Sequence, residues 1–173
     1  MLKRCVDLAA SACGLVLLSP LFAAVAIGVR FSSAGPIFYR QERVGYQGRH
    51  FRIYKFRSMV DGADSRGERV TGAGDARITR FGSFLRRHKL DEYPQLLNVL
   101  RGEMSFVGPR PCTPFEYERY QRWHKERCHA LPGLTGLWQV EGRGIAEFDE
   151  RLRLDLEYIE RQGFLFDLWL LIR

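Results

Sequence analysis

The feature that most constrains this chain is an uncharged apolar run from Leu8 to Val29. About twenty apolar residues are as many as a helix needs to cross a bilayer. Near the middle of the run, however, stands the pair Ser19-Pro20. Proline removes one backbone donor and its ring clashes with the carbonyl one turn earlier, so the helix is expected to break there. The Ser19 hydroxyl is expected to satisfy part of the freed backbone.

Positive charge flanks both ends of the run. Lys3 and Arg4 precede it, and Arg30 with six further Lys or Arg residues up to position 57 follows it, opposed only by Glu42. Because cytoplasmic loops carry the excess of Lys and Arg, both ends are expected on the same side of the membrane. The sequence therefore predicts a re-entrant helix-break-helix over residues 1–31. The alternative is a kinked helix that crosses the membrane completely.

Length, composition and charge narrow the classes further. The 173 residues suffice for a single domain, and a hydrophobic content of 46% supports a packed core. A net charge of +7 suits an anionic partner, which leaves nucleic acid, an anionic membrane surface and phosphorylated small molecules. The four cysteines form no CxxC pair and the four histidines no HExxH pattern, so neither a disulfide framework nor a zinc site is expected.

After the apolar run, the pattern is mainly α-helical with one small β-hairpin. Aromatic and β-branched residues in Ile37–Arg43 and His50–Ser58 predict two strands around a glycine-containing turn. The polar, glycine-rich stretch Asp61–Arg77 predicts a mobile loop. Helical periodicity predicts amphipathic helices at Phe81–Leu90, Leu96–Leu100, Phe115–Lys125 and Phe148–Arg161.

The last apolar segment, Phe164–Ile172, is too short to span a bilayer. Its aromatic residues suit an amphipathic helix that lies in the membrane interface. A buried helix of a soluble protein is the alternative.

Adjacent carboxylates, Asp91 and Glu92, follow a basic stretch and precede a predicted helix. Asp91 is expected to cap that helix, with Pro94 in its first turn. The positive end of the helix and nearby Arg86 are then expected to keep Asp91 ionised, as a nucleophile must be. Glu92 is a hard oxygen ligand suited to Mg²⁺ beside phosphates. Taken alone, these residues favour a simpler interpretation, a capping Asp91 and a solvated Glu92.

Two further loops present arginine. In Gly108-Pro109-Arg110-Pro111 the prolines fix the backbone, and a rigidly held Arg110 guanidinium suits bidentate contact with phosphate. An exposed arginine in a proline-rich turn is the common alternative. Arg143 ends a second glycine-rich loop, over residues 131–143, whose role is equally open from the residues alone.

The order of the motifs along the chain is more specific than any one of them. In sequence they are Lys3-Arg4 with Asp7, the Ser19-Pro20 break, Gly35–Phe38, Tyr54–Met59, Thr79–Gly82, Leu90–Leu96, Met104–Pro111 and Pro132–Gly136. Together they closely resemble the monotopic polyprenyl-phosphate phosphoglycosyl transferases, the bacterial sugar transferase domain. The resemblance covers nearly the whole chain and is to the small, stand-alone catalytic form.

The resemblance implies a single domain over residues 1–173, with a re-entrant helix in the bacterial inner membrane and residues 32–173 forming the catalytic part at its cytoplasmic face. It implies transfer of a sugar 1-phosphate from a nucleotide diphosphate sugar to polyprenyl (undecaprenyl) phosphate, in polysaccharide assembly, with uridine as the default nucleotide. By analogy Asp91 attacks the β-phosphate and carries the phosphosugar covalently, while Glu92 positions Mg²⁺. Covalent catalysis divides one difficult displacement between anions into two easier ones.

Further site residues follow from the same resemblance. It implies active-site contacts for Lys55, Arg86, Arg110 and Asp155, and Arg143 is an additional candidate for substrate binding. The chain departs from the family pattern at Glu141, where Asn often precedes the Gly-Arg pair. The sequence leaves open which sugar is transferred and whether the chain forms a homodimer.

Two other classes of protein fit part of the pattern. A non-catalytic, basic membrane-anchored scaffold explains the apolar run and its flanks, but it has no use for Lys55, Asp91 and Arg110. A nucleic-acid-binding protein explains the net charge, yet the chain carries no helix-turn-helix or RNA-binding signature, so no nucleic acid is expected as a partner. Transferases of the polytopic type need many spanning helices, whereas this sequence offers one candidate.

Overall fold

A computed structural model describes residues 2–63, 75–142, 144 and 147–173. Within these residues the chain is mainly helical with a small antiparallel hairpin, as the sequence predicts. The helices are α1 Leu2–Leu17, α2 Ser19–Ser32, α3 Arg80–Arg87, α4 Leu96–Arg101, α5 Pro114–Arg119, α6 Arg122–Lys125, α7 Leu137–Glu141, α8 Phe148–Arg161 and α9 Phe164–Ile172. The strands are β1 Phe38–Val44, β2 His50–Phe56, β3 Ser105–Val107 and β4 Gly133–Thr135.

Helices α1 and α2 meet at the predicted break, with an angle of 61° between them. Pro20 has no N–H to donate to the Val16 carbonyl one turn earlier. The Ser19 hydroxyl donates to that carbonyl instead, at 2.8 Å, which confirms the expected use of this side chain. Among the described residues, neither helix alone is long and apolar enough to cross a membrane, whereas the bent pair taken together meets both conditions.

The α2 helix packs against the hairpin and α3. One buried hydrophobic cluster contains Val25 and Val29 of α2, Phe56 of β2 and Leu85 of α3. Gly28 permits this close packing, because a methyl group at that position would collide with the ring of Phe81. Helix α2 is therefore attached to the hairpin and α3 through this cluster.

Strands β1 and β2 pair antiparallel, with Phe38 opposite Phe56. The free edge of β2 is covered by Asn98 of α4, which is fully buried. The Asn98 side-chain oxygen accepts from the Tyr54 N–H at 3.1 Å, and its amide nitrogen donates to the Arg52 carbonyl at 2.8 Å. One side chain thus satisfies backbone groups that a third strand would otherwise pair.

A second strand pair, β3 and β4, is parallel and was not predicted. Ser105 lies opposite Gly133, and Val107 lies opposite Thr135. The two loops approach so closely that a side chain at Gly108 would collide with backbone atoms of residues 131–133. Val107 then packs in a cluster with Leu137, Tyr158 and Leu170, which joins this strand pair to α7, α8 and α9.

A polar network joins the start of α1 to the same region. Lys3 Nζ donates to the Val107 carbonyl at 3.0 Å and to the Tyr158 hydroxyl at 2.7 Å. It also forms an ion pair of 2.6 Å with Asp167 of α9. The Tyr158 hydroxyl donates to Asp167 Oδ1 at 2.8 Å. Both ends of the described chain are therefore held against β3.

Two predicted helices differ from the structure. The single helix predicted over Phe115–Lys125 is divided into α5 and α6, because the backbone is extended at Tyr120, with φ −66° and ψ 133°. The helix predicted over Phe81–Leu90 ends early with α3, and Lys89 then adopts a left-handed backbone with φ 55°. Helices α8 and α9 have the predicted bounds. The predicted mobile loop Asp61–Arg77 lies mostly outside the described residues.

Replacing Asn98 with alanine should destabilise the fold by about 2–3 kcal/mol, because the Tyr54 N–H and the Arg52 carbonyl would be buried without partners. The measurement is the midpoint and slope of denaturant unfolding of the purified protein in detergent. Gln162→Ala is the matched control, since its amide donates to the exposed Ile159 carbonyl. The control should change stability by less than about 0.5 kcal/mol. Equal losses in the two variants would show that Asn98 does not support the hairpin edge.

Candidate active site

A cavity of about 590 Å³ is lined by residues of the hairpin, of residues 57–63, of α3 and of the turn that follows it. Five side chains singled out in the sequence line this cavity together, namely Lys55, Arg86, Asp91, Glu92 and Arg110. They come from segments far apart in the chain, so the fold brings them to one place.

Three further basic side chains line the cavity and were missed in the sequence: Arg43, Arg57 and Lys89. Strand periodicity was the signal that could have found Arg57, because residues two apart share a face and Arg57 lies two positions beyond Lys55. With these three included, six basic side chains and three carboxylates, the third being Asp61, line the described wall of the cavity. The cavity is thus suited to a ligand with several negative charges.

Asp91 does not cap a helix, and that prediction is wrong. It lies inside a 3₁₀ turn, Leu90–Gln95, that also contains Pro94. The residue before the turn is Lys89, whose left-handed backbone starts it without a side-chain cap. The turn places the Asp91 carboxylate at the cavity wall while leaving the residue only 8% exposed.

The electrostatic environment of Asp91 also differs from the expectation. Burial raises the pKa of Asp91 above its ordinary value, and the neighbouring Glu92 carboxylate raises it further. Lys55 and Arg86 act in the opposite direction but do not outweigh burial. Desolvation, and not the attraction of nearby positive charge, therefore dominates this carboxyl group. When ionised, it is a poorly hydrated and more basic oxygen nucleophile than an exposed aspartate.

Glu92 has the opposite shift because it forms an ion pair. Lys55 Nζ lies 2.6 Å from Glu92 Oε1. Burial acts to raise the pKa of Glu92, but the charge and hydrogen bond of Lys55, with help from Arg110 and Lys89, outweigh burial and lower it. The simpler interpretation, a capping Asp91 and a solvated Glu92, is therefore wrong on both counts. Two adjacent carboxyl groups whose pKa values move apart are suited to different chemical roles.

Arg86 and Arg43 are held at the cavity by hydrogen bonds. Arg86 donates from Nε to the Ser58 hydroxyl at 2.8 Å. Arg43 donates to the Pro111 carbonyl at 3.3 Å, in the loop that carries Arg110. Burial, and then the charge of Arg110, lower the pKa of Arg43. The guanidinium groups of Arg43 and Arg110 thus lie close enough to repel each other. A bound anion would relieve this repulsion.

The backbone of Arg110 is held in place by a buried arginine, Arg127. Arg127 donates from Nη2 to the Arg110 carbonyl at 2.7 Å and from Nη1 to the Tyr120 hydroxyl at 2.8 Å. Asp155 of α8 forms a buried ion pair with Arg127. Burial raises the pKa of Asp155 to about 6, against the opposing effect of Arg127.

Asp155 therefore does not have the position that the sequence suggested. Its residue is 1% exposed and is not among those that line the cavity. Its carboxylate contacts Arg127, which in turn holds the backbone of Arg110. The geometry makes Asp155 a positioning residue for Arg110, which it supports through Arg127.

The loop that contains Arg143 contributes little to the described site. Arg143 itself lies outside the described residues. Glu141, where the sequence departs from the family pattern, ends α7 and lies 3.7 Å from Arg173 Nη1. Gln139 of the same helix does line the cavity. The cavity wall formed by α7 therefore carries an amide and not the Glu141 carboxylate.

The donor set for a metal ion is small. No group of three or more His, Cys, Asp or Glu side chains able to hold a metal occurs in the ranges that the structure describes. The cavity does contain the adjacent carboxylates Asp91 and Glu92. Mg²⁺ is commonly bound by one or two carboxylates, with water and substrate phosphates completing its ligands. These residues therefore fit Mg²⁺ in company with a phosphorylated substrate.

Several known proteins are similar to this chain in sequence. The exopolysaccharide production protein ExoY of Rhizobium meliloti (strain 1021) is 39% identical over 183 residues, which cover 97% of this chain and 81% of that protein. The UDP-glucose:undecaprenyl-phosphate glucose-1-phosphate transferase of Xanthomonas campestris pv. campestris is 47% identical over 164 residues, covering 89% of this chain and 33% of that protein. The protein of the same name from Escherichia coli (strain K12) is 38% identical over 176 residues, covering 97% of this chain and 38% of that protein.

This chain thus spans most of ExoY but little more than a third of the two named transferases. The model of one family, described as bacterial sugar transferase, matches residues 1–173. Because that match includes every described element and every residue of the cavity wall, the chain belongs to the bacterial sugar transferase family.

Proposed function

We propose that this chain is a phosphoglycosyl transferase that moves a sugar 1-phosphate from a UDP-sugar to polyprenyl phosphate and releases UMP. The observation that supports this most strongly is the cavity, in which a buried carboxyl group, Asp91, is surrounded by basic side chains. Two relatives are named for the same reaction with UDP-glucose and undecaprenyl phosphate. The product would begin the assembly of a polysaccharide on its lipid carrier.

The proposed reaction has two displacement steps at one phosphorus atom. In the first, an oxygen of the Asp91 carboxylate attacks the β-phosphorus, the bond to the bridging oxygen breaks, and its electron pair leaves with UMP. In the second, an oxygen of the polyprenyl phosphate dianion attacks the same phosphorus. The bond to Asp91 then breaks and the carboxylate is restored. Neither step requires a proton, so the site needs positive charge more than it needs a general base.

Asp91 is a better nucleophile than Glu92 for this scheme. Glu92 is engaged by Lys55 in an ion pair, which reduces the basicity of its carboxylate. Asp91 is buried and has a raised pKa, so its ionised form is the more reactive of the two. Lys55, Arg86 and Arg110 would bind the phosphate oxygens and neutralise the charge that accumulates as two anions meet.

Glu92 is the proposed ligand of Mg²⁺, together with the diphosphate of the substrate. The ion would supply Lewis-acid neutralisation of the phosphate oxygens. Lys55 holds Glu92 in place at the cavity wall.

The proposed location is the inner membrane, with the cavity at the cytoplasmic face. The 61° bend and the basic residues at both ends of the apolar run support a re-entrant path for α1 and α2. Helix α9 would lie in the interface, because it exposes a row of apolar side chains, namely Phe164, Leu165, Leu168, Trp169, Leu171 and Ile172.

The covalent step predicts that enzyme incubated with UDP-glucose and Mg²⁺, without lipid, releases about one UMP per active site and gains the mass of a sugar phosphate. Asp91→Asn should do neither, whereas Asp149→Asn, at the half-exposed start of α8 and not among the residues that line the cavity, serves as the matched control and should do both. Because the pKa of Asp91 is raised, UMP release should fall on acidification at a pH above the ordinary aspartate range. Intact-mass spectrometry after rapid quenching checks the adduct.

If the sugar phosphate is instead transferred directly to polyprenyl phosphate in a ternary complex, the same experiment gives the opposite result. UMP would then appear only with polyprenyl phosphate present, and no adduct would form. A non-catalytic scaffold would release no UMP under either condition with any member of a UDP-sugar panel.

Activity should require Mg²⁺ or Mn²⁺ and disappear with chelator, because donor diphosphate and lipid phosphate must meet in one cavity. Glu92→Gln should lower turnover at least tenfold and raise the Mg²⁺ concentration needed for half-maximal rate. Glu42→Gln, on the exposed face of β1, is the control. Full activity of the unaltered protein in excess EDTA would remove Glu92 from this role.

The re-entrant path predicts that residues at both ends of the apolar run are reached by a membrane-impermeant thiol reagent only after the inner membrane is opened. Single cysteines at Leu2 and Ala34, in a chain with its own four cysteines replaced by serine, provide the probes. Replacing Ser19-Pro20 with Leu-Leu should straighten the helix and move the amino terminus across. Labelling of position 2 from the periplasm in the unaltered helix would contradict the re-entrant path.

A further inference from the structure

Arg57 is a basic residue of the cavity wall to which the proposed reaction gives no role. It lines the cavity and is 5% exposed. Its Nη2 donates to the Ser33 carbonyl at 2.6 Å, directly after the end of α2. Its Nε and Nη1, by contrast, are buried and have no hydrogen-bond partner among the described residues. Buried donors of a cation are costly when unpaired, so this guanidinium is suited to binding an anion.

No carboxylate of the described chain serves as that anion. Asp61 is the nearby candidate, because its side chain and Arg57 Nη1 both border the space beside Gly35. Asp61 is exposed, however, and no ion pair joins it to Arg57 in the described structure. Gly35 has a φ of 113°. A side chain at this position would fill the space beside Arg57 Nη1 and Asp61. The guanidinium therefore lies at the cavity wall with its charge uncompensated by a hydrogen-bonded partner.

An aromatic wall lies at the same end of the cavity. Phe38 and Phe56 both line the cavity, and their rings stack with centroids 5.3 Å apart. Phe56 in turn makes an edge contact with Phe22 of α2, at 5.7 Å between centroids. Phe38 is 43% exposed. The exposed ring of Phe38 thus provides an apolar surface at the cavity, and the buried ring of Phe56, directly before Arg57 in the chain, connects Phe38 to Phe22 of α2.

The geometry points to Arg57 and Phe38 as the subsite for the lipid acceptor: Arg57 binds the phosphate of polyprenyl phosphate, and the exposed ring of Phe38, packed on the buried Phe56, holds the first isoprenoid units. This inference rests on the proposed function. It adds to that function a place for the second substrate, separate from the residues that bind the diphosphate of the first.

The position of the Arg57 and Phe38 subsite next to α2 favours polyprenyl phosphate over the nucleotide sugar as its ligand. A prenyl chain remains among apolar groups while its phosphate reaches water, so it must approach along an apolar surface that continues to a charged site. The ring of Phe38 provides that surface, packed on Phe56 and so next to Phe22 of α2, and Arg57 provides the charge at its end. A nucleotide sugar is polar at every part, and the proposed reaction already assigns its phosphates to Lys55, Arg86 and Arg110.

The test separates the two substrates kinetically. Arg57→Gln should raise the KM for a short-chain polyprenyl phosphate about tenfold or more, with a change of less than about threefold in the KM for UDP-glucose. Phe38→Ala should do the same, and because Phe38 is exposed this variant keeps the hydrophobic core. Arg57→Lys should be intermediate, since a point charge replaces a bidentate donor. The UMP burst without lipid should persist in all three variants.

Matched controls come from the same chain. Arg40→Gln removes an exposed arginine that lies over Tyr54 on the hairpin but does not line the cavity. Phe148→Ala removes an aromatic ring that is 45% exposed on α8. Neither control should alter the KM for either substrate by more than about twofold.

Three results would overturn the inference. One is an unchanged KM for polyprenyl phosphate in both Arg57→Gln and Phe38→Ala. Another is a rise in the KM for UDP-glucose equal to that for the lipid, which would place Arg57 among the donor contacts. The third is loss of the UMP burst from Arg57→Gln with Phe38→Ala unaffected in every respect. Absence of a burst from the unaltered enzyme would instead contradict the covalent step, and the two KM values would still decide the subsite.

Discussion

The buried amide of Asn98 is the interaction on which the cavity depends most. A two-stranded hairpin has few contacts of its own, and β2 would present an unpaired edge to the interior without this side chain. Asn98 also belongs to α4, which directly follows the turn that carries Asp91 and Glu92. The hydrogen bond that Asn98 accepts from the Tyr54 N–H and the one that it donates to the Arg52 carbonyl therefore fix β2 against that turn. The ion pair between Lys55 and Glu92 connects the same two elements at the cavity.

The opposite wall relies on a different kind of support. Arg110 is exposed, and its side chain forms no hydrogen bond or ion pair within the part of the chain that the structure describes. Arg127 binds the Arg110 carbonyl, the Tyr120 hydroxyl and the Asp155 carboxylate, so it joins three segments that are distant in sequence. Removing one partner of such a buried charge leaves the other unpaired, which is more damaging than the pair is stabilising. The position of Arg110 at the cavity is thus fixed by residues that do not line the cavity.

Much of this fold could be predicted from sequence pattern, and the predictions that were wrong share one cause. Helices α8 and α9 and the break at Ser19-Pro20 depend on local periodicity and on proline, and they were predicted correctly. The parallel pair of β3 and β4 involves three residues in each strand, and no local pattern marks a pairing between positions so far apart. The direction of the Asp91 pKa was missed for the same reason, because local charge is visible in the sequence whereas burial is a property of the folded chain. Asp155 was likewise assigned by its motif, while its partner Arg127 became evident only in three dimensions.

The bond from the Ser19 hydroxyl to the Val16 carbonyl has a consequence for how the protein is made. Everything that bends the amino-terminal segment lies within one turn on either side of the proline. The bend therefore needs no contact with the hairpin or α3, neither of which exists when residues 1–32 leave the ribosome. An emerging chain can thus present a bent helix pair with its lost backbone bond already replaced, and the hairpin and α3 can pack against α2 afterwards.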